Sequence, residues 1–186
     1  MLYFKDPFYK ISGEEYVRLF KVVSEAILGS CYSYEGLISP YRNKFIDINP
    51  PQTVLHGVFP ENPEERKKSL ENFINQCFDS RKASLQDYHL RDFNGREIVC
   101  IHDCITNHSF ELTGDEFNKA SEALVKNGFE SDILCSHEKM INFSFPSRGI
   151  LGFFGFTSYR SFSPRQWEAM DEEKKKKILE DWDRIE

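Results

Sequence analysis

Sulfur and imidazole crowd the middle of this chain. Cys100-Ile101-His102-Asp103-Cys104 is followed by His108, and Cys135-Ser136-His137 comes later. Three of the five cysteines and three of the five histidines therefore fall between positions 100 and 137. Thiolate and imidazole are the donors of structural zinc sites and the two halves of thiolate–imidazolium nucleophiles. Strand geometry tests the metal reading. A strand rises about 3.3 Å per residue, so Cys100, His102 and Cys104 share one face, with Cys100 and Cys104 about 13 Å apart. Two cysteine ligands of one zinc hold their Cα atoms only about 8 Å apart, and a disulfide needs them within roughly 7 Å. Cys100 and Cys104 thus share neither a metal nor a disulfide unless a bulge shortens the strand. Cys100 and His102, about 6.6 Å apart, are within reach of one ion. Cys135 and His137 repeat that spacing. The metal set that spacing allows is Cys100, His102, Cys135 and His137 around zinc, with Cys104 or His108 as substitutes on a bent strand. Cys100-x₃-Cys104 has the spacing of a zinc knuckle but falls in a predicted extended strand, so the Cys-x₂₋₄-Cys in a tight knuckle that usually marks a zinc site is missing.

Two other readings compete. Cys104 with His108, or Cys135 with His137, makes a nucleophilic pair if a positive group stabilises the thiolate. Cys104 does not sit at a predicted helix N-terminus, where the dipole would help. Alternatively the cysteines are core residues, since a free cysteine packs as a small hydrophobe. Ile98, Cys100 and Cys104 would then line the core with His102 at its edge, and Val99, Ile101 and Ile105 would occupy the other face. Outside zinc, the sequence calls for no cofactor. Gly149 to Gly155 is glycine-rich but lacks the Gly-Lys-Ser/Thr ending and the following helix of a phosphate loop. It reads as a bent strand. Arg148, Arg160 and Arg165, with Tyr159, are the one basic grouping near aromatics. They read as surface arginines, with an anion subsite as the alternative. No paired-carboxylate, nucleophile-elbow or dinucleotide motif is present.

Composition narrows the function classes. The chain has 186 residues, a net charge of −6 and 27 aromatics, among them 17 phenylalanines. An acidic chain lacks the basic field of a nucleic-acid or anionic-membrane binder. It suits a protein partner, one of basic charge, and direct nucleic-acid binding is not expected. No stretch approaches the roughly 18 apolar residues of a membrane span, and the N-terminus does not read as a signal peptide. Five cysteines without a secretory signal point to free thiols in a reducing, cytoplasmic compartment.

The elements that must position these residues are marked by caps and turns. Ser12-Gly13-Glu14-Glu15, Thr113-Gly114-Asp115-Glu116 and Ser163-Pro164-Arg165-Gln166 are capping boxes. Asn62-Pro63 opens another helix. Apolar residues then recur at helical spacing: Tyr16, Phe20, Val23 and Ile27; Leu70, Phe73, Ile74 and Cys77; Phe117, Ala120 and Leu124. The last helix carries Trp167, Met170, Ile178, Trp182 and Ile185 near one face and runs on through a charged stretch, Asp171 to Lys177, read as a solvated face. Asn94-Gly95 predicts a hairpin between strands at 87–93 and 96–104, with a return strand at 108–112. Strands are expected at 132–135 and 140–145, joined by a turn at 136–139, and at 150–159. Ser30 to Pro60 is broken by prolines and rich in tyrosine (Tyr32, Tyr34, Tyr41), which predicts long loops with short strands. The order does not alternate as βαβ units. It predicts an α+β fold in one domain over 1–186, with an antiparallel β-sheet of about five to six strands and about four helices. The expected function is a non-catalytic cytoplasmic binding protein working through a protein–protein interface, of the inhibitor or immunity type. The alternative is a small Cys/His-dependent enzyme or zinc-stabilised protein built on residues 100–137.

Overall fold

The computed structural model describes residues 1–6, 9–40, 52–78, 83–102, 107–146 and 157–185. In chain order the elements are β1 (Leu2–Lys5), α1 (Gly13–Ala26), β2 (Ser33–Pro40), β3 (Thr53–Val58), α2 (Pro63–Cys77), β4 (Ala83–Arg91), β5 (Glu97–His102), β6 (Asn107–Glu111) and α3 (Gly114–Lys126). There follow β7 (Leu134–Ser136), β8 (Ile141–Pro146), β9 (Thr157–Phe162), α4 (Pro164–Glu168), α5 (Glu172–Asp181) and β10 (Asp183–Ile185). The fold is α+β. A seven-stranded antiparallel sheet runs in the order β3-β2-β4-β5-β6-β1-β7, and a second sheet of three strands runs β10-β8-β9. Among the described residues both counts exceed the expectation: β1 at the N-terminus and β10 at the C-terminus are not among the expected strands, β2 and β3 come from the 30–60 region, and the last helix divides in two.

The helices start where their caps sit. Ser12 and Thr113 accept from the amides of Glu15 and Glu116, whose carboxylates in turn accept from the cap amides. Asn62 accepts from Glu64 and Glu65, and Ser163 pairs with Gln166. The last helix is two. Asp171 caps a fresh start by accepting from Lys174 N at 2.8 Å, so α4 and α5 are separate. Trp167, Met170, Ile178 and Trp182 still converge, on Phe143 and Phe162, to form the core of the small sheet. The described part of the region 30–60 holds two strands of eight and six residues, and 41–51 lie outside the described residues. Tyr34 belongs to β2, its ring 4.5 Å from that of Phe73, while Tyr41 lies outside the described residues. The expected turn at 136–139 is a 3₁₀ turn over His137–Lys139, and the strands on either side of it join different sheets. Of the strand expected at 150–159, residues 157–159 fall in β9 and the glycines 149, 152 and 155 lie outside the described residues.

Alternation along the strands gives the large sheet two chemically distinct faces. Register aligns Tyr34, Leu90, Val99, Phe110 and Tyr3 in one row, and Leu55, Gly36, Tyr88, Ile101 and His108 in the next. These rows meet α1, α2 and α3 through Leu19, Phe20, Val23, Leu70, Phe73, Ile74, Ala120 and Leu124. The phenol of Tyr88, buried at the centre, is satisfied by Ser24 at 3.0 Å. Ile98, Val99 and Ile101 all join this core and Cys100 does not, so the core-packing expectation for β5 holds at Ile98 and fails at Cys100.

Two polar anchors hold the layers. Arg96 donates to Asp92 at 3.0 Å, to the Glu111 carbonyl at 2.6 Å and to Glu116 at 3.0 Å, tying the β4–β5 hairpin to the start of α3. Arg165, at the start of α4, ion-pairs with Asp132, donates to the Tyr9 hydroxyl and lies 5.6 Å over the Tyr9 ring. Tyr9 in turn donates to Asp132 at 2.5 Å. Arg165 therefore clasps the small sheet to the large one with a carboxylate of the chain itself, while Arg148 and the side chain of Tyr159, from the same basic grouping, lie outside the described residues.

Close approach of β2 to α2 depends on a missing side chain. A Cβ at Gly36 would lie 2.8 Å from Cys77 Sγ and 2.9 Å from a ring carbon of Phe73. Gly36→Ala is expected to cost about 1–3 kcal/mol by overpacking, read as a lower urea midpoint with unchanged m-value. An unchanged midpoint would show that α2 yields freely here.

Candidate functional site

The face of the large sheet opposite α1–α3 carries the polar residues. Register aligns His56, Glu35, His89, Cys100 and Ser109 across β3, β2, β4, β5 and β6. Beside this row, Val58, Ser33, Arg91 and Glu97 form another. Glu97 and Cys100 are three apart and would point to opposite faces of a regular strand. A bulge prevents that. Leu90 pairs with Val99 but Arg91 pairs with Glu97, so Ile98 is skipped and Glu97 comes round to the face of Cys100. Bulges re-aim side chains in this way.

Glu97 is the hub of what results. Its Oε1 lies 3.1 Å from His89 Nδ1 and 3.0 Å from Arg91 Nη2. Arg91 reaches on to Glu35 at 2.9 Å, and these carboxylates raise the guanidinium's proton affinity further. Donor atoms of His89, Glu97 and Cys100 all lie within 4.8 Å of one another. Burial pushes the Cys100 thiol up to about 11, and the nearby Glu97 carboxylate adds to the shift. Without a bound cation, Cys100 is a neutral thiol near pH 7, not a nucleophile.

The residues singled out from the sequence scatter. Cys100 belongs to this cluster. The side chain of His102 and the whole of Cys104 lie outside the described residues, so the Cys104–His108 pair is described only at His108. Cys135 sits on β7, three strands from Cys100 in the order β5-β6-β1-β7, or about 14 Å at a strand spacing near 4.8 Å. Cys100 and Cys135, two members of the proposed ring of Cys100, His102, Cys135 and His137, are therefore not brought together, because β6 and β1 both intervene between β5 and β7. Cys135 is buried opposite Phe4, its thiol raised by burial and aimed at the Ser136 carbonyl at 3.5 Å. His137 is exposed in the following turn, 5.6 Å from the Phe4 ring. Burial also drives Cys31 and Cys77 up to about 12.

His108 has a structural role. It lies in the helix-facing row, edge-on to Tyr16, Phe20 and Phe110. The Lys5 backbone amide donates to its Nε2 at 3.1 Å, so the proton must sit on Nδ1, which meets the Tyr16 hydroxyl. Burial, with Lys5 nearby, pulls its pKa down to about 4.

His89 and Glu97 are the members that spacing along one strand did not reveal. The signal for His89 was the hairpin. Counting back from a two-residue Asn94-Gly95 turn sets His89 opposite Cys100, as observed. Glu97 had no such signal, because the bulge that turns it is not written in any local pattern.

A histidine neutral when folded but protonatable when unfolded makes stability pH-dependent. Stability is full above the ordinary value of 6.5 and drains as pH falls towards 4, by about 3 kcal/mol. Urea unfolding of the wild type and His108→Phe across this window checks it. The variant should be less stable at pH 7, and the drop on acidification should shrink by that amount. An identical slope in both would remove His108 from the account.

Comparison of the chain with protein-family models, with curated proteins and with solved structures finds no match. The functional reading rests on the chemistry above.

Proposed function

We propose that the protein is a non-catalytic cytoplasmic binding protein acting through a protein–protein interface, of the inhibitor or immunity type, against a basic partner. The observation that carries this reading is an exposed aromatic pair at one end of the large sheet. Phe93, at the hairpin tip, is 78% exposed and Tyr32 is 41% exposed, with ring centroids 5.1 Å apart at 80°. Phe59 N donates to the Tyr32 carbonyl at 2.9 Å, which brings Val58, 56% exposed, to the same end. Glu61, Glu64 and Glu65 follow at the exposed start of α2. Aromatic anchors beside an acidic rim suit a partner that presents lysine and arginine around an apolar recess. The net charge of −6 would speed that encounter.

Three further points support the reading. The described thiols are held protonated near neutral pH and His108 is locked in the core, so neither supplies a ready nucleophile. The four described cysteines are free, as a reducing compartment requires. Among the described residues no helix is long and apolar enough to cross a membrane.

The test uses the wild type alongside Phe93→Ser and Tyr32→Ser. Both are surface changes and should shift folding stability by no more than about 0.5 kcal/mol. Calorimetry with the partner recovered on immobilised wild type should show each variant weakened by roughly 30-fold, the size of an interface hot spot. Salt should slow association. A partner that binds both variants as tightly as wild type would sink the proposed surface. A chain that finds no partner yet turns over a small substrate would sink the function.

A further inference from the structure

We infer that His89, Glu97 and Cys100 form a site for one divalent metal ion of zinc's class. This inference stands independently of the binding surface at Tyr32 and Phe93. Among the described residues these three offer an imidazole nitrogen, a carboxylate oxygen and a sulfur within 4.8 Å of one another. Ligands of a tetrahedral zinc, at bond lengths of about 2.0–2.3 Å, stand roughly 3.3–3.8 Å apart. Small side-chain rotations close the difference. The backbone is already set, because His89 and Cys100 are direct cross-strand partners and the bulge brings Glu97 onto their face.

The donor chemistry selects the ion. A mixed nitrogen, sulfur and oxygen set suits a borderline cation and disfavours magnesium or calcium, which take oxygen alone. The charges also balance. On binding, the Cys100 thiol releases one proton to solvent and forms the sulfur–metal bond. Thiolate and Glu97 carboxylate then neutralise the dication, with His89 as neutral ligand. Arg91 loses its share of Glu97 but keeps Glu35, already held at 2.9 Å. His89 and Cys100 are each 6% exposed, whereas the Glu97 side chain is 40% exposed. Glu97 is the entry side, and two buried donors wait behind it. Three protein donors leave the fourth position for water or for an outside group.

The experiment is titration of the chelator-treated full chain with zinc, and with cobalt(II) as a spectroscopic stand-in. Expected is one equivalent of zinc, release of one proton, and a thiolate-to-cobalt charge-transfer band. Cys100→Ser and His89→Gln should each weaken zinc by at least about 100-fold, since even outer-shell partners cost 10–100-fold. Glu97→Gln, the most exposed of the three, keeps the test valid if a buried variant misfolds, and should weaken zinc by about tenfold or more. Cys135→Ser should bind as wild type. The inference is overturned if the wild type takes up no stoichiometric zinc. It is equally overturned if the cobalt band survives in Cys100→Ser, or if folded Glu97→Gln binds zinc as tightly as wild type.

Discussion

One residue of slippage in the β4–β5 hairpin governs which side chains share the polar face of the sheet. The loop closes at Asp92 and Arg96, where Asp92 N donates to the Arg96 carbonyl at 3.0 Å and Gly95 takes φ 82°. That conformation is open to glycine without steric cost. The bulge at Ile98 then restores the register that a two-residue turn would have produced. Leu90, Val99, Tyr88 and Ile101 consequently meet the helices, while His89, Arg91, Glu97 and Cys100 meet one another. A shift by a single residue would exchange these sets, burying charge against α1 and α2 and exposing the core. Arg96 holds the arrangement from outside. Burial alone would raise the Glu116 carboxyl, but the Arg96 and Thr113 hydrogen bonds hold it below the usual range. The hairpin is thus anchored to α3 by a charge that prefers to stay ionised.

The same residue types meet different fates on the two faces. His108 and His89 are both strand histidines. The first lies among aromatic rings, with a backbone amide fixing its tautomer, and serves packing. The second faces a carboxylate and a thiol. Cys77 packs against Gly36 in the core and Cys100 lies across the sheet from it. Burial raises both thiols, yet only Cys100 has cation-binding neighbours. Residue type is therefore a poor guide to role here, and the face of the strand decides.

Helix starts were legible because a cap is a local transaction between a side chain and amides two or three residues on. All the boxes at Ser12, Thr113 and Ser163 formed as read. The break at Asp171 was equally local but hidden by the charged helical pattern running through it. Strand order was not legible. Alternation along Cys100–Cys104 assigns faces, yet it carries no information about which strands lie alongside. β1, over one hundred residues away in sequence, pairs with β6 and separates Cys100 from Cys135. The zinc set drawn from spacing failed for that reason, although one of its members, Cys100, belongs to the cluster that did form.

The amino-acid sequence by itself determined the α+β class, the capped helices, the turn at Asn94-Gly95 and the concentration of sulfur and imidazole near the middle of the chain. These follow from interactions spanning a few residues, whose geometry the backbone imposes. Tertiary structure alone decided which thiol meets which imidazole. That choice depends on strand order, on a bulge at Ile98 and on which face of the sheet the helices cover. All three are set by the burial of distant apolar rows against one another, a collective property that no short window of residues contains.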